Sequence, residues 1–336
     1  MGWSDLYLID QRTFGIYSDV FLVTKSIYSR GRLNSYEIKD NQGSSDAGRL
    51  FCFGLGFSAS YLAERLLSKG WYVSGTSRDN ERQDRALPKS PYLFDGTRPT
   101  SEISAAISCA THLLITIPPQ LSGDVVLRNF SEEIAKARHL KWIGYISSTG
   151  VYGDAQGEWV DETSPLRGVT DLNRRRIEVE SSWLKIGKDY GLPVMIFRCV
   201  GIYGQDRNLL VSVKQGRARR IDKPGLVFSR IHAEDLALTL EASIQKPMSG
   251  EIYNVSDDYP CPPAEAVEYA CNLLGAQPPP LVPYEKANLS STARGFYKTN
   301  KRISNKKIKE VLGVKLKYPD FRSGLDALLK EFDRGS

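Results

Sequence analysis

Three small residues carry the first chemistry in this chain. Gly54, Gly56 and Ala59 stand in the order G-x-G-x-x-A inside RLFCFGLGFSASYLAERL (Arg49–Leu66). An apolar run precedes them and a helical pattern follows. The first glycine permits a tight turn, and the second lets the backbone approach a pyrophosphate. The small third residue lets the helix pack close to its strand. The helix amino end, at Phe57 and Ser58, then faces phosphate charge. The next apolar run ends in GTSR (Gly75–Arg78), where an acidic residue would hold a ribose 2′-hydroxyl. Thr76, Ser77 and Arg78 offer hydroxyls and a guanidinium instead, with no carboxylate before Asp79. A guanidinium suits a 2′-phosphate, so NADP(H) is expected over NAD(H). The other reading is a surface arginine beside an NAD site. Asp95, after the third strand, either meets an adenine amino group or makes a turn. Pro118, in the pair that ends HLLITIPP, joins this cofactor group.

The elements that must position these residues alternate. Strand patterns in LFCFG, WYVSGTSR, PYLFDG, HLLITIPP, KWIGYISST and PVMIFRCVGIYG are interleaved with helical ones in SASYLAERLLSKG, LRNFSEEIAKARH and RRRIEVESSWLKIGKDYG. This alternation predicts an α/β, Rossmann-type doubly wound parallel sheet. After Gly204 the pattern becomes irregular, which predicts a small C-terminal substrate lobe over the carboxyl ends of the strands. We divide the chain into a 1–48 weakly ordered extension, a 49–204 dinucleotide-binding domain and a 205–336 substrate lobe, with some elements of the last returning to the sheet. The segment DNQGSSDAG reads as a linker. The extension is acidic enough to disfavour an organelle transit peptide, and it reads equally as a misplaced start.

Bulk composition narrows the function classes. Hydrophobic residues make up 41% and charged residues 25%, as a folded core requires. The net charge of +6 comes with no aromatic-interleaved basic motif, so nucleic acid is not expected as a partner. No apolar run is long enough to span a membrane. The cysteines and histidines are scattered without metal-ligand spacing, so no metal is expected. Reduced core thiols suit a cytoplasmic setting.

YISSTGVYGD (Tyr145–Asp154), GIYGQDRN and SRIHAEDLA occur in that order. With them the chain resembles the extended short-chain dehydrogenases, the NAD-dependent epimerase/dehydratase family. The likeness is strongest to a subgroup loosely described as nucleoside-diphosphate-sugar epimerases, and it covers about residues 49–330. The resemblance implies a catalytic serine at Ser148, orienting a substrate oxygen. It places the family's Tyr-x-x-x-Lys pair on Leu172 and Arg176, because Glu180 follows at the family's spacing. Leucine transfers no proton, whereas arginine can still hold ribose hydroxyls. Candidates for the missing proton are Tyr152, Tyr203, Asp154, Glu162 and His232. Tyr152 comes first because it is nearest Ser148 in sequence, and the competing reading makes it a core aromatic. Thr149 and Gly150 stand where family dehydratases carry Asp-Glu, which disfavours sugar 4,6-dehydration. The family also often forms homodimers.

On the substrate side, KQGRARRIDKPG (Lys214–Gly225) reads either as an anion pocket, with Arg219 in it, or as a solvated basic loop. Arg230 and His232 alternate on one strand and share a face. Asn208 is placed in the pocket wall. The expected activity is an atypical oxidoreductase or epimerase acting on a small anionic, nucleotide-linked substrate. The alternative is a cofactor-binding sensor without turnover.

Overall fold

The computed structural model describes residues 47–78 and 92–335. The expected extension therefore lies outside the described residues except for Ala47 and Gly48, and so does Asp79. The first half runs β1 (Arg49–Phe53), α1 (Phe57–Leu67), β2 (Tyr72–Ser77), β3 (Tyr92–Leu93), α2 (Ser101–Cys109), β4 (His112–Ile115), α3 (Val125–Lys136) and β5 (Trp142–Ser148). A 3₁₀ turn (Thr149–Tyr152) leads to β6 (Trp159–Val160), α4 (Asp171–Tyr190), β7 (Val194–Cys199) and β8 (Gly201–Tyr203). Then come α5 (Leu209–Lys214), β9 (Arg220–Asp222), β10 (Arg230–His232), α6 (Ala233–Gln245) and β11 (Ile252–Val255). The chain closes with α7 (Pro263–Leu273), β12 (Leu281–Pro283), α8 (Ser291–Tyr297), β13 (Arg302–Ile303), α9 (Lys306–Glu310) and α10 (Phe321–Gly335).

The main sheet has the order β11-β7-β5-β4-β1-β2-β3, with every pairing parallel. The strand order reverses between β1 and β4, which opens a crevice at their carboxyl ends. The pleat explains why β1 is apolar throughout. Leu50 and Cys52 face α1 and α6, meeting Leu62, Ala63 and Leu240. Phe51 and Phe53 face the opposite layer, meeting Ile103, Phe130 and Trp183 of α2, α3 and α4. Both faces are covered, so continuous apolar runs replace alternation.

PVMIFRCVGIYG, expected as one strand, divides at Val200. β7 stays in the main sheet beside β5 and β11, while β8 leaves it to pair with β10. Several elements beyond residue 204 return to the main layers: α6 packs on α1, α9 joins the same layer through Ile308, and β11 forms the sheet edge. Two smaller clusters lie beyond them. One joins α5, α7 and α10 through Leu210, Ala266, Ala270, Phe321 and Leu325. The other gathers Ile221, Leu226, Ala287 and Tyr297 around the β9–β12 pair.

Candidate active site

The glycine turn is built by its neighbours. Gly54 adopts φ +91°, a left-handed conformation that favours glycine. Its N–H donates to Thr76 Oγ1 (2.9 Å), and its carbonyl accepts from Thr116 Oγ1 (2.6 Å). A Cβ at Gly54 would stand 2.5 Å from Thr116 Oγ1. Gly56 differs: it caps α1 without a side-chain hydrogen bond, and among the described residues a Cβ there would meet nothing within 4 Å. Among the described residues, no side chain caps the first amides of α1, at Phe57 and Ser58. Ala59 is fully buried and lets α1 lie against the sheet. This cradle fits the pyrophosphate of a dinucleotide, in charge and in room.

The rest of the cofactor group follows the same edge of the sheet. Ser77 is half-buried and Arg78 exposed at the end of β2, and Pro118 is exposed after β4. Thr76 needs a correction. It is buried, and its hydroxyl is committed to Gly54 N–H, so it acts on a ligand only through the turn. Asp95 is exposed and closes a local turn, with Oδ1 accepting from Thr97 Oγ1 (2.7 Å) and Thr97 N (2.9 Å). The Thr97 hydroxyl bond is the main reason its carboxyl sits below the usual range.

Ser148 ends β5, and its Oγ accepts from Gly150 N–H (3.1 Å) to start the 3₁₀ turn. Thr170 caps α4, which brings Leu172 and Arg176 to the same end of the sheet. Leu172 is 41% exposed, and Arg176 is half-buried, with its charge acting on Tyr145 and Cys199. Sequence reasoning missed Asn173. Its carboxamide packs on the turn so closely that a Cβ at Gly150 would lie 2.5 Å from Asn173 Oδ1.

Tyr152 does not join this group. It is 2% exposed, its hydroxyl donating to Asn254 Oδ1 (2.7 Å) and accepting from Arg198 Nη1 (3.0 Å). Burial pushes its hydroxyl up to about 12, against the pull of Arg198. Arg198 in turn pairs with Glu180 (Nη2 to Oε2, 2.7 Å), and Ser147 Oγ donates to Glu180 Oε1 (2.5 Å). Tyr152 thus belongs to a buried network joining β5, α4, β7 and β11. The 3₁₀ turn after Ser148 rotates its ring inward, which nearness in sequence cannot reveal.

The substrate-side expectations are also redrawn. Asn208 is buried and caps α5 (Val211 N to Oδ1, 3.0 Å), while its amide donates to Gly204 O (2.8 Å), so it is not free for a ligand. His232 is buried and caps α6, accepting from Glu234 N (3.2 Å) with its ring against Tyr318. It forms wall rather than contact surface. Arg219 is exposed and donates to Asn288 O (2.9 Å). Arg220 pairs with Glu268, and Lys223 donates to Tyr297 O, so the basic loop does not converge on one pocket. Arg230 is different. It registers with exposed Gly201 and is half-buried over the Phe321 ring. Nη1 is held by Phe228 O and Cys261 Sγ (both 3.1 Å), which fixes the guanidinium plane. Beside it lies Asp257, a buried carboxyl that sequence reasoning missed. Among the described residues its Oδ2 has no hydrogen-bond partner, and burial pushes it up to about 8 despite Arg230.

Comparison with known proteins places this arrangement. No protein-family model matches the chain. Protein YeeZ of Escherichia coli is 32% identical over 285 residues, which is 80% of this chain and 95% of the relative. The structure of a functionally unknown conserved protein from Silicibacter pomeroyi is 43% identical with TM-score 0.77, covering 85% of this chain and all of the other. A Methylobacillus flagellatus structure named for the NAD-dependent epimerase/dehydratases is 25% identical with TM-score 0.65, covering 86% of this chain and all of the other. The chain belongs to the family of Protein YeeZ, and its fold is that of the NAD-dependent epimerase/dehydratase structures. In this family member the crevice between β1 and β4 carries the glycine turn, and Ser148 stands at the next strand end.

Proposed function

We propose that this epimerase/dehydratase relative is an NADP(H)-dependent oxidoreductase or epimerase acting on a small anionic substrate. The observation that carries the reading is the uncapped start of α1 at Gly56, beside the left-handed turn at Gly54. Phe57 and Ser58 amides would hold the pyrophosphate, and Arg78 the 2′-phosphate. Arg176 would donate to the nicotinamide ribose hydroxyls. The nicotinamide, when bound, supplies or accepts a hydride. Ser148 would orient the reacting oxygen, and Arg230 the anionic end of the substrate.

One observation favours a second reading, a cofactor sensor without turnover. Leu172 occupies the family's tyrosine position by spacing, and Tyr152 is locked in its buried network. Fluorescence titration with NADPH and with NADH tests the first reading. Tighter binding of NADPH, lost in Arg78→Ala, is the expected result. Equal or tighter binding of NADH would overturn the role of Arg78. Failure of both would remove the proposed activity.

A further inference from the structure

Thr76 and Thr116 hold one target from two sides. Thr76 lies near the end of β2 and Thr116 directly follows β4, the two strands that flank β1. The N–H of Gly54 donates to Thr76 Oγ1 (2.9 Å), and its carbonyl accepts from Thr116 Oγ1 (2.6 Å). Each flanking strand thus secures one of the two peptide groups that meet at Gly54. The main chain completes the clamp. Leu55 N donates to Thr76 O (2.9 Å), Thr116 N to Phe53 O (3.0 Å) and Gly56 N to Gly54 O (2.9 Å). Every N–H from Gly54 to Gly56 is therefore engaged inside the turn, and the amides of Phe57 and Ser58 come next.

Both hydroxyls are placed for this task. Thr76 is buried, and its neighbour brings it close: a Cβ at Gly75 would stand 2.5 Å from Cys52 O, so β2 reaches β1 here only with a bare residue. Thr116 has one hydroxyl proton and two carbonyls in reach, Gly54 O at 2.6 Å and Phe53 O at 3.2 Å. The shorter contact is the one to the turn. Gly54 sits at φ +91° and has no Cβ to resist rotation of the peptide after it. Without the two hydroxyls that peptide is free to flip, and a flip would re-aim the amides that follow.

We propose that Thr76 and Thr116 are positioning residues of the cofactor site, locking both peptide groups of Gly54 so that the turn holds the Phe57 and Ser58 amides ready for the pyrophosphate. The inference rests on the dinucleotide reading and deepens it. The segment GTSR then serves the cofactor through Gly75 and Thr76 as well as through Arg78. Both threonines act through Gly54. A turn already held in its bound form has no ordering cost left when the ligand arrives.

Fluorescence titration of the full chain with NADPH tests this in Thr76→Val, Thr116→Val and the serine variants at both positions. Valine keeps the shape of threonine and removes the hydrogen bond, whereas serine keeps the hydroxyl. The valine variants are expected to bind NADPH about five- to tenfold more weakly, and the serine variants within about twofold of wild type. Should a valine variant not fold, Thr116→Ala, at a half-buried position, is read in its place. Variants without the hydroxyl that fold and bind NADPH as wild type does would overturn the proposal. So would serine variants as weak as the valine ones, since the methyl group would then be responsible. Wild-type protein that binds neither NADPH nor NADH marks failure of the underlying cofactor reading instead.

Discussion

The two ends of the cleft differ in how their polar groups are used. At the glycine turn, the groups that face the crevice are backbone amides of α1 that no side chain caps. On the substrate side, Asn208, His232, Arg220 and Lys223 are engaged by caps, carbonyls or an ion pair. A binding surface made of main chain survives folding, because the glycines fix its geometry. One made of side chains competes with every orphaned backbone group nearby. Arg230 there is half-buried, with Nη1 held by Phe228 O and Cys261 Sγ.

The largest expected effect tests the buried network under Ser148. Arg198→Ala leaves Glu180 buried without its partner, which should cost about 3–5 kcal/mol of stability in urea denaturation. A loss below about 1 kcal/mol would mean that water already reaches the pair. Next comes Gly56→Ala. The Cβ meets no atom of the described residues within 4 Å, so stability should move by less than about 0.5 kcal/mol. NADPH affinity should nevertheless fall about tenfold or more, about 1.4 kcal/mol, by titration calorimetry. Unchanged affinity would erase the contrast between the two ends.

Tyr152→Phe should cost about 1–2 kcal/mol, since Asn254 and Arg198 each lose a bond. Cofactor affinity and turnover should stay near wild type, and a collapse of turnover would return Tyr152 to the reacting group. The smallest effect concerns pH. Asp257 holds its proton up to about pH 8 when folded, whereas the unfolded chain releases it near 4. Between those values the unfolded state alone ionises, so stability from this group is full below pH 4 and is lost as pH rises towards 8. Asp257→Asn removes that loss. The variant should gain a few degrees in Tm on wild type between pH 5 and pH 8. Parallel melting curves across that range would show that Asp257 is already solvated.

The sequence made the sheet and the turn legible because both are patterns of apolarity and glycine. β1 announced itself by LFCF and α1 by the run after Gly56. The break at Val200 was not legible, because PVMIFRC and VGIYG share one apolar pattern and differ only in which neighbour completes their hydrogen bonds. His232 and Asn208 looked like ligands because cap residues and binding residues are the same residue types. Tyr152 depended on the rotation of one 3₁₀ turn.

A crystal structure grown with NADPH tests the central claim most directly. The pyrophosphate is expected on the Phe57 and Ser58 amides against Gly56, with the nicotinamide between Ser148 and Arg176. Density for the dinucleotide elsewhere, or a side chain filling the space at Gly56, would contradict it.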